Sequence, residues 1–145
     1  MQNKPAALAR RLRRKFQTGD PFAIARSLGI WIALAPLGEV NGYYNTAYRQ
    51  GFIHINEGLS EARQRFTCAH ELGHALLHPR ENTPFLRGST YFSVDRLEQE
   101  ANLFAVCLLI SDEDLREHAE YPNDFLSALY GLDERLIALR RAADN

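Results

Sequence analysis

Residues 60–78, SEARQRFTCAHELGHALLH, constrain this chain more than any other stretch. Ala62, Phe66, Ala69, Leu72, Gly73, Leu76 and Leu77 recur at steps of three and four until Pro79 ends the run, a spacing that predicts a helix with one apolar face. Such a helix has to lie on a core, and the chain offers two kinds of partner. Upstream are three short strand candidates: residues 30–35 (IWIALA), residues 43–48, and residues 51–56 (GFIHIN), where Ile53 and Ile55 alternate with Phe52, His54 and Asn56. Asn41-Gly42 and Gln50-Gly51 are the turn signals around them. The first reads as a buried strand, and the set as a small, mostly antiparallel sheet. Downstream, after a loop expected at 79–92, a second helix is predicted over 93–109, capped by Ser93 or Asp95. Shorter helices at 112–120 and 122–141, the latter broken at Gly131, follow it. Two more precede the sheet: a basic helix at 5–17, and a short one capped by Asp20, with Pro21 at its first position and Gly29 past its end. The pattern is α+β.

The helix at 60–78 carries a histidine at every fourth position: His70, His74 and His78. Four residues advance a helix by about 400° and 6 Å, so His70 and His74 project from one face on successive turns and can share one metal ion. Glu71, next to the first histidine, is poorly placed to join them. It is well placed to take a proton from water that a zinc ion has acidified to a pKa of about 7. His78 lies about 12 Å along the axis from His70, too far for zinc–nitrogen distances of about 2.0–2.1 Å. It reads as a C-terminal residue favourable to the helix dipole. The third ligand is therefore expected on another element. In SVDRLEQEANLFAVCLL, Glu100 shares a stripe with Leu97, Leu103 and Phe104, which points a carboxylate at the core, where it has to be salt-bridged to an arginine or bound to a metal. Glu98 falls on a wetter flank with Asp95 and Asn102.

The rest of the chain sets bounds. Its 145 residues, 46% hydrophobic and 24% charged, fit one domain spanning 1–145. The apolar runs are too short to cross a bilayer and no leader pattern precedes them, so the expectation is a cytoplasmic protein without a membrane partner. Cys68 and Cys107 lie in apolar helical segments and read as reduced, packed thiols. The net charge of −1 hides an asymmetry: residues 1–19 carry six basic and no acidic side chains, while the remainder has a net charge of −7. This basic arm reads as the solvated face of a first helix. No direct nucleic-acid binding is expected, because the segment after PFAIARSLGI is WIALAP, a strand-like run ending in proline, and not a recognition helix. ALYGLDERLIALRR near the C-terminus is a weaker look-alike that a helical hairpin explains equally well.

FTCAHELGHALLH followed about 25 residues later by EQEANLFAVCLL, with DPFAIARSLGI, PLGEVNGYY and IHIN upstream, resembles the ImmA/IrrE family of bacterial and phage zinc metallopeptidases. The resemblance runs from about residue 20 to 109. It implies a zincin-like fold, with the sheet packed on the active-site helix and further helices C-terminal. Matched residue by residue, it implies zinc bound by His70, His74 and Glu100, and Glu71 as general base. It also implies a protein substrate, a helix-turn-helix repressor of the Xre type encoded nearby, whose cleavage derepresses mobile-element or stress genes. A zinc-stabilised module that sequesters a repressor without cutting it, or a toxin-antitoxin component, is the alternative. Peptidases of the thermolysin type place an aspartate four residues after the ligand glutamate; counted from Glu100 that place is Phe104, which leaves the partner of His70 unassigned. His54, Tyr43, Tyr44 and Tyr91 are the candidates for stabilising a tetrahedral oxyanion.

Overall fold

The computed structural model describes residues 3–80 and 91–143, and the side chains of all of these except 91–95. Seven helices and three strands lie among the described residues. In chain order they are α1 (Lys4–Phe16), α2 (Pro21–Ser27), β1 (Trp31–Ala35), β2 (Gly42–Ala47), β3 (Gln50–Asn56), α3 (Glu61–Leu77), α4 (Tyr91–Leu109), α5 (Asp112–Glu117), α6 (Asn123–Tyr130) and α7 (Glu134–Ala142). The loop expected at 79–92 lies mostly outside the described residues. The helix after it starts at Tyr91, two residues earlier than its spacing predicts, and the side chains of Ser93 and Asp95 also lie outside them.

Capping chemistry explains where the helices begin. Asn3, Asp20, Ser60, Ser111 and Asp133 each accept from a backbone N–H of the first turn, which satisfies donors that the helix itself leaves unpaired. Gly131 ends α6 in the left-handed region at φ 68°, a conformation glycine enters without a Cβ penalty. It also lies against α3, since a Cβ there would come 2.5 Å from that of Ala62.

The sheet order is β1-β3-β2. β2 and β3 form the expected antiparallel hairpin, but β1 runs parallel to β3, pairing Trp31 with Phe52 and Ala35 with Asn56. The sheet is thus mixed, because β1 reaches the far side of β3 while β2 takes the near side. Two expectations change with this. β1 is an edge strand, with Trp31 65% and Leu34 54% exposed, so it is not a buried one. The hairpin turn is Tyr48-Arg49, both at positive φ, in the primed geometry that matches strand twist. Gly51 serves a different purpose, as a Cβ there would come 2.7 Å from the Tyr44 hydroxyl.

Ile53 and Ile55 point from β3 onto Cys68, Ala69 and Leu72 of α3, in one buried cluster that also takes Ala6, Ala9 and Leu12 of α1 and Phe104, Ala105 and Leu108 of α4. A smaller cluster, Ile110, Leu115, Leu126, Leu132 and Ile137, holds the C-terminal helices. Phe66 packs against both. None of the described helices is long and apolar enough to cross a membrane. Cys68 and Cys107 are buried and form no disulfide, and burial pushes the Cys68 thiol well above its ordinary range. Part of the basic arm is engaged internally: Arg10 bonds Asp112 and Arg13 bonds the Leu108 carbonyl.

Candidate metal centre

α3 and α4 form the most extensive helix contact of the fold, and Gly73 explains how closely they approach. A Cβ at Gly73 would lie 2.9 Å from Cδ2 of Phe104 and 3.3 Å from Cα of Ala101, so the glycine inside H-E-L-G-H lets α4 pack directly on the helix backbone. The histidines on either side of that contact are then aimed along α4. His70 Nε2 lies 3.1 Å from Glu98 Oε2, and His74 Nε2 lies 2.6 Å from Glu98 Oε1. One ligand atom from each of the three residues falls within 4.8 Å of the others.

The carboxylate that meets the two histidines is therefore Glu98, and not Glu100. Glu100 does not face the core either: its side chain is 40% exposed, and its Oε1 lies 3.2 Å from Nε2 of His78. The buried stripe of α4 is Leu97, Ala101, Phe104, Ala105 and Leu108. On a helical wheel, Glu98 and Glu100 flank the centre of that stripe by roughly 80° on opposite sides. Periodicity ranks them equally; the packing of α3 separates them, since Glu98 flanks the His70 and His74 turns and Glu100 flanks His78. Counting from Glu98, the position four residues on is Asn102, which lines the same cavity as His70. The signal that pointed to Glu98 was its polar flank, because a ligand beside an open coordination position borders water. His78 is 7% exposed and ties the end of α3 to α4 through Glu100, a more specific role than interaction with a dipole.

The donor set fits a metal ion. Two imidazole nitrogens and a carboxylate oxygen are one of the ligand sets of catalytic zinc, which leaves a fourth tetrahedral position open, and here the three ligand atoms lie within 4.8 Å of one another. His74 is 1% exposed, so a buried nitrogen is aimed into the site. Burial opposes ionisation of Glu98, yet hydrogen bonds and charge from His70 and His74 hold its carboxyl well below the usual carboxylate range. Glu71 is 4% exposed and lines a cavity of about 310 Å³ with His70, Glu98 and Asn102, so it shares the space the ligands border. Gly42 of β2 forms another wall, where a Cβ would come 2.6 Å from both the His54 carbonyl and Cγ2 of Thr67.

Of the other candidates, His54, Tyr43 and Tyr44 do not line that cavity. His54 stacks on Tyr43 at 4.3 Å and bonds Asn45 Oδ1 at 2.7 Å, on the sheet face opposite Ile53 and Ile55. Tyr44 packs against the main core beneath Gly51. The side chain of Tyr91 is outside the described residues. At the C-terminal look-alike, Arg140 is buried, donating to the Ile110 carbonyl at 2.8 Å and to Asp112 at 2.7 Å, while Arg141 bonds Asn123 and two carbonyls.

Two packed helices holding a histidine pair, a carboxylate and a neighbouring buried glutamate beside a small sheet define a class, that of metal-dependent hydrolases. Residues 25–140 match the M78 peptidase family model, described as the IrrE N-terminal-like domain. The chain is 39% identical to uncharacterized immunity region protein 2 of Bacillus phage phi105, over 92% of its own length and 87% of that protein's. It is 38% identical to metallopeptidase ImmA of Bacillus subtilis, covering 74% of this chain and 64% of ImmA. It is also 32% identical to the radiation response metalloprotease IrrE of Deinococcus deserti, of which it spans about half, 52%. A Mycobacterium tuberculosis transcriptional regulator shares the fold, with a TM-score of 0.67 at 16% identity, over 96% of this chain and 46% of that one. The chain belongs to the IrrE N-terminal-like family of metallopeptidases.

Proposed function

We propose that this chain is a cytoplasmic zinc endopeptidase that cuts a helix-turn-helix repressor of the Xre type. The observation that carries the reading is the convergence of His70, His74 and Glu98 beside the buried Glu71. His70, His74 and Glu98 would hold the zinc. When bound, the ion acidifies water and polarises the carbonyl of the bond to be cut. Glu71 takes the proton from the attacking water and carries it to the leaving amine, as general base and then general acid. Burial fixes the Glu71 carboxylate in place for that transfer.

The substrate would lie along the edge of β2. β3 pairs on both sides, with β1 and with β2, so its residues Gly51 to Asn56 cannot accept an added strand. β2 has an outer side that pairs with no strand among the described residues, and its Gly42 end borders the cavity, an arrangement suited to strand addition. The immunity-region name of the phage relative supports a repressor as the substrate.

The test is incubation with a candidate Xre-type repressor, chosen from the genes around this one, with zinc or with chelator, read by product mass. Cleavage at one site with zinc and none with chelator is expected. Glu71→Gln should keep zinc and repressor binding while cleavage falls about 10²- to 10⁴-fold. Full repressor inactivation by that variant would favour sequestration without cutting.

A further inference from the structure

Three depressions meet at Phe66. The first is the metal-centre cavity. The second, about 590 Å³, is a trough between α4, which contributes Gln99 and Asn102, and α7, which contributes Leu136 and Leu139. The third lies under the turn at Gly131, Leu132 and Asp133. Asn102 lines both the first and the second, and Asn41 and Thr67 line both the first and the third. They are neighbours that share these walls, and Phe66 stands where the three meet, with its ring 5.7 Å from that of His70. Phe66 precedes His70 by one helical turn, so a side chain seated beyond it belongs to a residue close to the bond being cut.

The trough has a definite chemistry. Its apolar surface comes from Phe66, Leu136 and Leu139, and its polar members are two uncharged amides, Gln99 and Asn102. The charged pair at its rim, Asp133 and Arg135, is internally matched at 3.2 Å and leaves no net charge to attract a charged side chain. Volume and lining suit an apolar group with its polar backbone held at the rim. The wall is also held in position, because Arg140, on the turn after Leu136, anchors α7 through Ile110 and Asp112.

We infer that this trough is the specificity subsite for a large aliphatic or aromatic side chain next to the scissile bond, with Leu136 and Leu139 as the residues that set the preference. The inference rests on the peptidase reading and adds the class of residue at which it cuts. Phe66 and Asn102, the walls shared with the metal-centre cavity, place the trough beside the bond to be cut and make substrate its occupant. Leu136 and Leu139 touch the bound side chain and take no part in the proton transfers.

The test uses the full zinc-loaded chain on a pool of proteome-derived peptides, with cut sites read by mass spectrometry. The wild type should favour Leu, Ile, Met or Phe over Ala, Asp and Lys at one position beside the cut. Leu139→Trp, which narrows the trough, should move that preference towards Ala by about tenfold or more in the ratio of kcat/KM values. A ratio is unaffected by the fraction of variant that folds. As a reading independent of turnover, the Glu71→Gln chain should bind the best-cut peptide about tenfold more tightly than its Ala-substituted copy, and Glu71→Gln combined with Leu139→Trp should lose that difference. Cleavage with no residue preference, or with the same preference in Leu139→Trp, overturns the subsite and leaves the peptidase standing. A zinc-loaded chain that cuts neither the pool nor the repressor overturns the peptidase reading and the subsite together, and one that cuts the repressor alone, at a bond with no large apolar residue beside it, overturns the subsite only.

Discussion

Glu98 and Asp112 each gather two nitrogen-bearing side chains from other turns of the fold, and the contrast between them separates function from stability. Asp112 receives Arg10 from α1 at 2.9 Å and Arg140 from α7 at 2.7 Å. Guanidiniums only donate, and they stay charged at every physiological pH, so the Asp112 charge is matched there without a metal ion. Glu98 receives His70 and His74 from successive turns of a single helix. A neutral imidazole offers a lone pair at one ring nitrogen, so two of them facing a carboxylate make a set of donors to a cation. The first cluster ties three helices together, whereas the second borders a cavity and shares it with Glu71.

The contrast can be attacked from its structural side first. Arg140 is 1% exposed and carries the bonds to Ile110 and Asp112. Arg140→Ala should cost about 3–5 kcal/mol, since it empties a fully buried site, leaves the Ile110 carbonyl without its donor and leaves Asp112 with Arg10 alone. Denaturant unfolding measures that loss, and at temperatures where the variant stays folded its zinc stoichiometry should match the wild type. A loss of metal in the folded variant would mean the two clusters are not independent.

A smaller effect is expected where the two helices of the metal centre touch. Gly73→Ala inserts a methyl into the contact with Phe104 and Ala101, and should cost about 1–3 kcal/mol. Here stability and zinc affinity should fall together, because pushing α4 away also withdraws Glu98. Unchanged affinity, measured by competition with a chromophoric chelator, would show that the ligands do not depend on this close approach.

The smallest effect is a pH dependence. The Arg10 hydrogen bond holds the Asp112 carboxyl below its ordinary 3.8, assisted by Arg140 and opposed by partial burial. A lowered native pKa gives stability that is present above about pH 4 and lost as pH falls through the native value. Asp112→Asn should therefore unfold more easily than the wild type at pH 7, and the gap between the two should close as the pH falls through the native value. A gap that persists below that value would mean the carboxylate charge contributes nothing to the cluster.

Much of this was legible before any coordinates. The periodicity of residues 60–78 marked the central helix, and the capping residue Asp20 marked where α2 starts, since both signals are local. The spacing of His70 and His74 brought them together for the same reason. Three features depended on how elements meet, and local spacing was silent about those. β1 joins the sheet parallel to β3, a choice set by which side of the hairpin it reaches. The hairpin turns at Tyr48-Arg49, although Gly51 offered the more familiar turn residue. Glu98 and Glu100 flank the same buried stripe at similar angles, and the expectation of Glu100 followed from treating the third ligand as buried. The ligand side of an open metal site is wet, and Glu98, on the polar flank with Asn102, has that property.

The central claim is that His70, His74 and Glu98 hold the metal while Glu100 does not. It is tested most directly by the zinc content of Glu98→Gln and Glu100→Gln, purified alongside the wild type, dialysed against a weak chelator, and read by elemental analysis. The account predicts about one zinc per chain for the wild type and for Glu100→Gln, and little or none for a folded Glu98→Gln. Full zinc in Glu98→Gln with loss in Glu100→Gln would contradict it.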